Sequence, residues 1–120
     1  MANVLVVDDA LFVRQTIKRM LEAHGHTMIG EADSGRLALK RYEELEPDVV
    51  LLDITMPGMS GIEVLKKLKD INLKAKVIIC SSIGQQSIIA EAIQCGAADF
   101  IVKPFKEEQV IASLEKVLAR

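Results

Sequence analysis

The feature that most constrains this chain is an alternation repeated five times: a short apolar run, then a longer segment with apolar residues on one helical face. The runs are Val4–Val7, Thr27–Glu31, Val49–Leu52, Val77–Cys80 and Phe100–Val102. Apolar side chains fill consecutive positions, as in strands covered on both faces, whereas a strand with one wet face alternates. Between the runs the apolar residues recur at helical spacing. Val13, Ile17, Met20 and Leu21 mark the first helix; Ala38, Tyr42 and Leu45 the second; Ile62, Leu65 and Leu68 the third. Ile89, Ala92 and Ile93 mark the fourth, and Val110, Leu114, Val117 and Leu118 the fifth. One-faced helices alternating with buried strands predict a doubly wound, five-stranded parallel sheet with helices on both sides.

Local signals agree with this register. Ser60-Gly61-Ile62-Glu63 has the form of a capping box opening the third helix. His24-Gly25-His26 and Cys95-Gly96-Ala97 resemble helix ends with glycine beside the cap, and Glu107 and Glu108 suit the first turn of the last helix. With 120 residues, half of them hydrophobic, the chain can bury one substantial core, and residues 1–120 are expected to form a single domain with no effector domain attached.

Composition excludes several classes of function. A net charge of -2 and the lack of a basic stripe argue against direct DNA binding. No apolar run nears the roughly 20 residues of a membrane span, and no signal peptide is visible, so a cytoplasmic location is expected. Cys80 and Cys95 lack metal-ligand spacing and read as a reduced thiol pair. His24 and His26, flanking a glycine in a connection, read as exposed. Met20, Met28, Met56 and Met59 read as packing residues, Asp48 and Asp99 as turn residues, and Lys18-Arg19 and Lys66-Lys67 as solvated helix faces.

In such a sheet, ligands bind beyond the carboxyl ends of the strands. The sequence puts Asp8 and Asp9 after the first strand, Asp53 after the third, Ser81 after the fourth, and Lys103-Pro104 after the last. Each alone is an ordinary turn signal. Together they bring three carboxylates, a hydroxyl and an ammonium to one edge. Converging carboxylates repel one another and raise each other's pKa values, which a bound cation relieves. All-oxygen donors suit Mg²⁺ or Mn²⁺ rather than zinc. Lys103 and Ser81 can then serve one phosphoryl group held on a carboxylate nucleophile.

Along its whole length the chain resembles the receiver domains of two-component response regulators. Asp8-Asp9, the segment Asp53-Ile54-Thr55-Met56-Pro57 with Gly61, Ser81 and Phe100-Ile101-Val102-Lys103-Pro104 carry the resemblance. Ile79-Cys80-Ser81 and Gly84-Gln85-Gln86 are most similar to chemotaxis regulators of the CheY type. The resemblance implies a flavodoxin-like fold with strand order 2-1-3-4-5. It implies phosphorylation of Asp53 from a phosphohistidine on a CheA-like sensor kinase, and no enzyme activity beyond self-catalysed phosphoryl transfer and autodephosphorylation. Asp9 and Asp53 are implied as Mg²⁺ ligands, with Asp8 assisting and the Thr55 backbone carbonyl completing the set. Lys103, followed by a cis bond to Pro104, is implied to contact the phosphoryl group.

The resemblance also implies that Ser81 moves toward the phosphoryl and Phe100 rotates into the vacated space. Output is expected through the fourth helix, fifth strand and fifth helix of a monomer, with Ile89, Val102 and Phe105 as apolar contacts. The resemblance implies a flagellar switch protein or another phospho-dependent partner there, and a dedicated phosphatase as a further partner. The sequence departs from many relatives in having Phe100 for tyrosine and Ser81 for threonine. Two rivals fit less well. A haloacid-dehalogenase-type phosphatase needs a second aspartate where Thr55 stands, and an FMN carrier needs a hydroxyl- and glycine-rich loop where Asp8-Asp9 stand.

Overall fold

The computed structural model describes residues 1–120. The elements alternate as the periodicity predicts: β1 (Asn3–Val7), α1 (Leu11–Ala23), β2 (Thr27–Ala32), α2 (Gly35–Leu45), β3 (Val49–Asp53), α3 (Gly61–Ile71), β4 (Val77–Ser82), α4 (Gln86–Gln94), β5 (Asp99–Lys103) and α5 (Glu107–Leu118). The strands form one parallel sheet in the order β2-β1-β3-β4-β5.

Side chains alternate across a strand, so odd and even positions feed different cores. Leu5, Val7, Val50, Leu52, Val77 and Ile79 enter a cluster with α2, α3 and α4, through residues such as Ala38, Leu65 and Ala92. Val4, Val6, Val49, Leu51, Ile78 and Ile101 enter a second cluster with α1 and α5, through Ile17, Leu21, Val110 and Leu114. The sheet thus lies between two apolar layers, which explains the unbroken apolar runs.

Helix ends follow the sequence signals closely. Ser60 Oγ accepts from the Glu63 N–H at 3.3 Å, and Ser34 Oγ does the same for Leu37 at 3.3 Å. Gly61 seats α3 against the end of β3, because a Cβ there would collide with the backbone of Ile54. Gly25 and Gly96 follow α1 and α4 with φ of 79° and 102°. The methionines pack as expected: Met56 is buried, and Met20, Met28 and Met59 lie against the two cores.

One reading is corrected. His26 is 7% exposed rather than solvated, and its Nδ1 accepts from the Ala2 N–H at 3.1 Å. The turn after α1 folds the imidazole under the N-terminus, where burial is the largest of the effects holding its pKa below the ordinary value. His24 is exposed as expected, with Nε2 2.8 Å from Glu107 Oε2.

Candidate functional site

The strands run one or two residues further than their apolar cores, so most of the polar candidates are sheet residues rather than loop residues. Asp53 is the last residue of β3 and pairs with Cys80; Ser81 pairs with Val102, and Ser82 with Lys103. Pairing residues share a face of the sheet. Asp53 and Lys103 therefore continue the α1–α5 side, while Ser81, Val102 and Phe100 continue the α4 side. The sheet's own period divides the acidic and basic groups from the hydroxyl and the aromatic ring.

Asp8 and Asp53 are buried, and Asp9 is exposed. Each of the three offers a carboxylate oxygen within 4.8 Å of the other two. Both buried carboxylates are held by turns of their own making. Asp8 Oδ1 accepts from the Ala10 N–H at 2.9 Å, and Asp53 Oδ1 from the Thr55 N–H at 3.0 Å. The Lys103 ammonium lies 2.8 Å from Asp8 Oδ2 and 3.4 Å from Asp53 Oδ2. The Lys103–Pro104 peptide is cis.

The electrostatics follow from burial. Desolvation is the largest influence on Asp53 and raises its pKa; Asp8 adds to that, against the Thr55 N–H and Lys103. An ion pair alone would lower an aspartate, so here burial wins. Burial also pulls on Lys103, downward, but the hydrogen bond to Asp8 and the attraction of both aspartates carry its pKa above the usual value. Cys80 is pushed up to about 12 by burial, which leaves its thiol unreactive.

Donors made only of oxygen, two buried and one facing solvent, fit a hard divalent ion that keeps part of its water shell. The same edge holds a second incomplete group. Ser81 is buried and its Oγ has no hydrogen-bond partner. A buried hydroxyl left so costs about 1–3 kcal/mol. An acceptor brought to this edge recovers that cost. Beside it Phe100 is turned outward, 41% exposed. It borders a groove of about 400 Å³ with Ile83, Gln85, Ile89 and Val102. Phe105 is not part of that groove. It packs with the α1–α5 core and lines a different cavity, with Phe12, Met20 and Pro104, because the chain turns toward α1 after Pro104.

Two residues with a part in this geometry have no role assigned from the sequence. Arg14, on α1, donates through Nη1 to the Asp8 carbonyl at 2.7 Å and through Nε to Glu31 at 2.6 Å, with its side chain 12% exposed. A signal existed: Arg14 stands three residues before Ile17, on the apolar stripe of α1, where a charge needs a partner. Gln85 donates from Nε2 to Thr55 Oγ1 at 2.9 Å and accepts the Ser82 N–H at 2.7 Å. Its sequence surroundings mark it only through Gly84-Gln85-Gln86, a likeness to CheY-type regulators that assigns it no role.

Five parallel strands in this order, with an acidic cluster at one edge, define a class of doubly wound α/β domain, and the chain belongs to the response regulator receiver domain family, whose model matches residues 4–115. Receiver domains of this kind are signalling switches rather than classical enzymes. More particularly, the chain is similar to chemotaxis proteins CheY. It is 49% identical to that of Thermotoga maritima over 115 residues, covering 96% of each chain. It is 48% identical to that of Bacillus subtilis over 116 residues, covering 97% of each. Among solved structures, the CheX–CheY–BeF3–Mg²⁺ complex from Borrelia burgdorferi matches with a TM-score of 0.93 and 32% identity, over 98% of this chain and 90% of that one. No helix is long and apolar enough to cross a membrane.

Proposed function

We propose that the chain is the CheY-like phosphoacceptor of a two-component pathway, with Asp53 as the acceptor and chemotaxis or flagellar motor control as the setting. The carrying observation is the convergence of Asp8, Asp9, Asp53 and Lys103 on one sheet edge beside a buried, unpartnered Ser81 hydroxyl.

In this reading an Asp53 carboxylate oxygen attacks the phosphorus of a phosphohistidine on a CheA-like kinase. A P–O bond forms, the P–N bond breaks, and the imidazole nitrogen leaves with a proton from solvent. The Thr55 N–H holds Oδ1 and Lys103 reaches Oδ2, so both carboxylate oxygens are oriented before the attack. Lys103, now shared between Asp8 and Asp53, follows the new charge onto a phosphoryl oxygen. Asp8, Asp9, Asp53 and the Thr55 carbonyl would hold Mg²⁺, or Mn²⁺ in its place. When bound, that ion offsets the charge of the carboxylates and the phosphoryl group.

Ser81 donates its free hydroxyl to the phosphoryl, and Phe100 turns in from solvent toward the space that Ser81 leaves. The groove at Ile83, Ile89 and Val102 changes shape as it does. A flagellar switch protein is the proposed reader of that face. The Borrelia complex supports a CheX-like protein as a second class of partner. A cytoplasmic location follows from these partners.

Incubation with acetyl phosphate and Mg²⁺ tests the assignment by intact mass. The parent is expected to gain one phosphoryl group and Asp53→Asn none. Labelling of Asp53→Asn on another aspartate contradicts a unique acceptor at Asp53.

A further inference from the structure

Helix α4 is the least anchored of the five. Of its residues 86–94 only Ala92 is buried, and its N-cap residue makes no side-chain capping bond. That N-cap residue is Gln85, and its side chain is used elsewhere. The carboxamide nitrogen reaches Thr55 Oγ1 in the loop after β3, while the oxygen takes the Ser82 N–H at the end of β4. Its backbone carbonyl still begins the helix, accepting from the Ile89 N–H at 3.0 Å. One residue therefore ties three things together: the loop after β3, at Thr55 two positions beyond Asp53, the end of the Ser81 strand, and the first turn of α4.

The loop it grips is itself fastened to the candidate acceptor, since the Thr55 N–H donates to Asp53 Oδ1. A chain of hydrogen bonds thus runs from Asp53 through Thr55 and Gln85 into α4, and bypasses Ser81 and Phe100. We infer that Gln85 is a positioning residue, which couples the Asp53–Thr55 loop to the orientation of α4 by a route separate from the Ser81 hydroxyl. A shift of the loop when Asp53 is modified pulls on Gln85 or breaks its bond, and either outcome changes the first turn of α4. This route deepens the reading of Asp53 as a phosphoryl acceptor and rests on it for its biological use, but the clasp can be tested without it.

The test is amide hydrogen exchange of residues 86–94 in the Mg²⁺-free, unphosphorylated protein. A single net hydrogen bond corresponds to about 3- to 10-fold faster exchange when lost. Gln85→Leu and Thr55→Val are each expected to speed exchange by about that factor. The double variant should be no faster than the faster single one, and Thr55→Ser, which keeps the hydroxyl, should match the parent. Parent-like exchange in Thr55→Val, or additive effects in the double variant, overturns the clasp. A second arm adds acetyl phosphate and Mg²⁺ and follows mass and α4 exchange together. Gln85→Leu that gains the phosphoryl mass but shows a smaller α4 response than the parent supports the coupling; an equal response overturns it. Failure of the parent to gain mass counts against Asp53 as acceptor, and the first arm still decides the clasp.

Discussion

Burial makes Asp53 a reluctant carboxylate, and most of the site's behaviour follows from that. Its folded pKa is raised, with desolvation the main cause. A raised folded pKa means that the group favours the native state fully below its unfolded value and that this contribution is lost as pH rises through the folded value. At neutral pH without metal, ionised Asp53 therefore costs stability. Asp53→Asn is expected to unfold at a higher temperature than the parent in EDTA at pH 7, and the gap should close as pH falls toward the acid range. An Asp53→Asn variant less stable than the parent at pH 7 would mean that Lys103 outweighs burial. The residues themselves were legible: Asp8, Asp9, Asp53, Ser81 and Lys103 stand at strand ends, where polar residues after apolar runs attract notice. Arg14 was half legible, as a charge on an apolar stripe. Gln85 was legible only within the Gly84-Gln85-Gln86 likeness, which gives it no role, and only the fold brings Thr55 within reach.

At the level of elements, strand and helix identities came from periodicity, and boundaries from the chemistry of the ends. Ser60, Gly25 and Gly96 marked ends because their signals are local. Two ends had no such signal at the cap residue itself. Helix α2 closes on Glu46 in a left-handed conformation, a position glycine usually fills, and Pro47 follows it. Helix α5 has the acidic first turn the sequence marks, but its N-cap is Lys106, whose N–H is taken by Gln109 Oε1 at 2.9 Å, half of a box whose other half lysine cannot supply. The connection from α1 to β2 misled, because two histidines around a glycine look solvated, whereas the turn buries the second.

That turn has a measurable consequence. His26 Nδ1 is occupied by the Ala2 N–H, and Nε2 is buried without a partner, so a second proton has no place. The neighbouring charges are the N-terminus and His24, which disfavour the cation, and Glu115, which favours it. The folded pKa lies below 6.5, so as pH falls through 6.5 the unfolded chain takes the proton first and stability declines. One such group contributes at most about 1.4 kcal/mol per pH unit. Denaturant midpoints from pH 7 to pH 5 should fall less steeply in His26→Gln than in the parent. Parallel slopes would show that His26 gains its proton as easily folded as unfolded.

Across the whole molecule, the parallel sheet both builds the site and separates it from its readout. Its alternation places Asp53 and Lys103 in phase with the α1–α5 layer, and Ser81, Phe100 and Val102 in phase with the α4 layer. Charge arriving on one side must cross the sheet edge to reach the groove on the other. In the proposed mechanism Ser81 is the short route, since its buried hydroxyl lacks a partner and Phe100 stands exposed on the same face of the sheet. The fold class was legible from the alternation alone, the strand order from family resemblance, and the division between faces only from the observed register. The central claim is that a phosphoryl group on Asp53 is felt at Phe100. It is tested most directly by fluorine NMR of protein labelled with fluorophenylalanine, the Phe100 signal being assigned by Phe100→Leu. On adding acetyl phosphate and Mg²⁺, the Phe100 resonance is expected to shift in the parent and to stay in place in Asp53→Asn. Ser81→Ala should gain the phosphoryl mass with a reduced shift. A parent that gains the mass while its Phe100 resonance stays fixed would contradict the account.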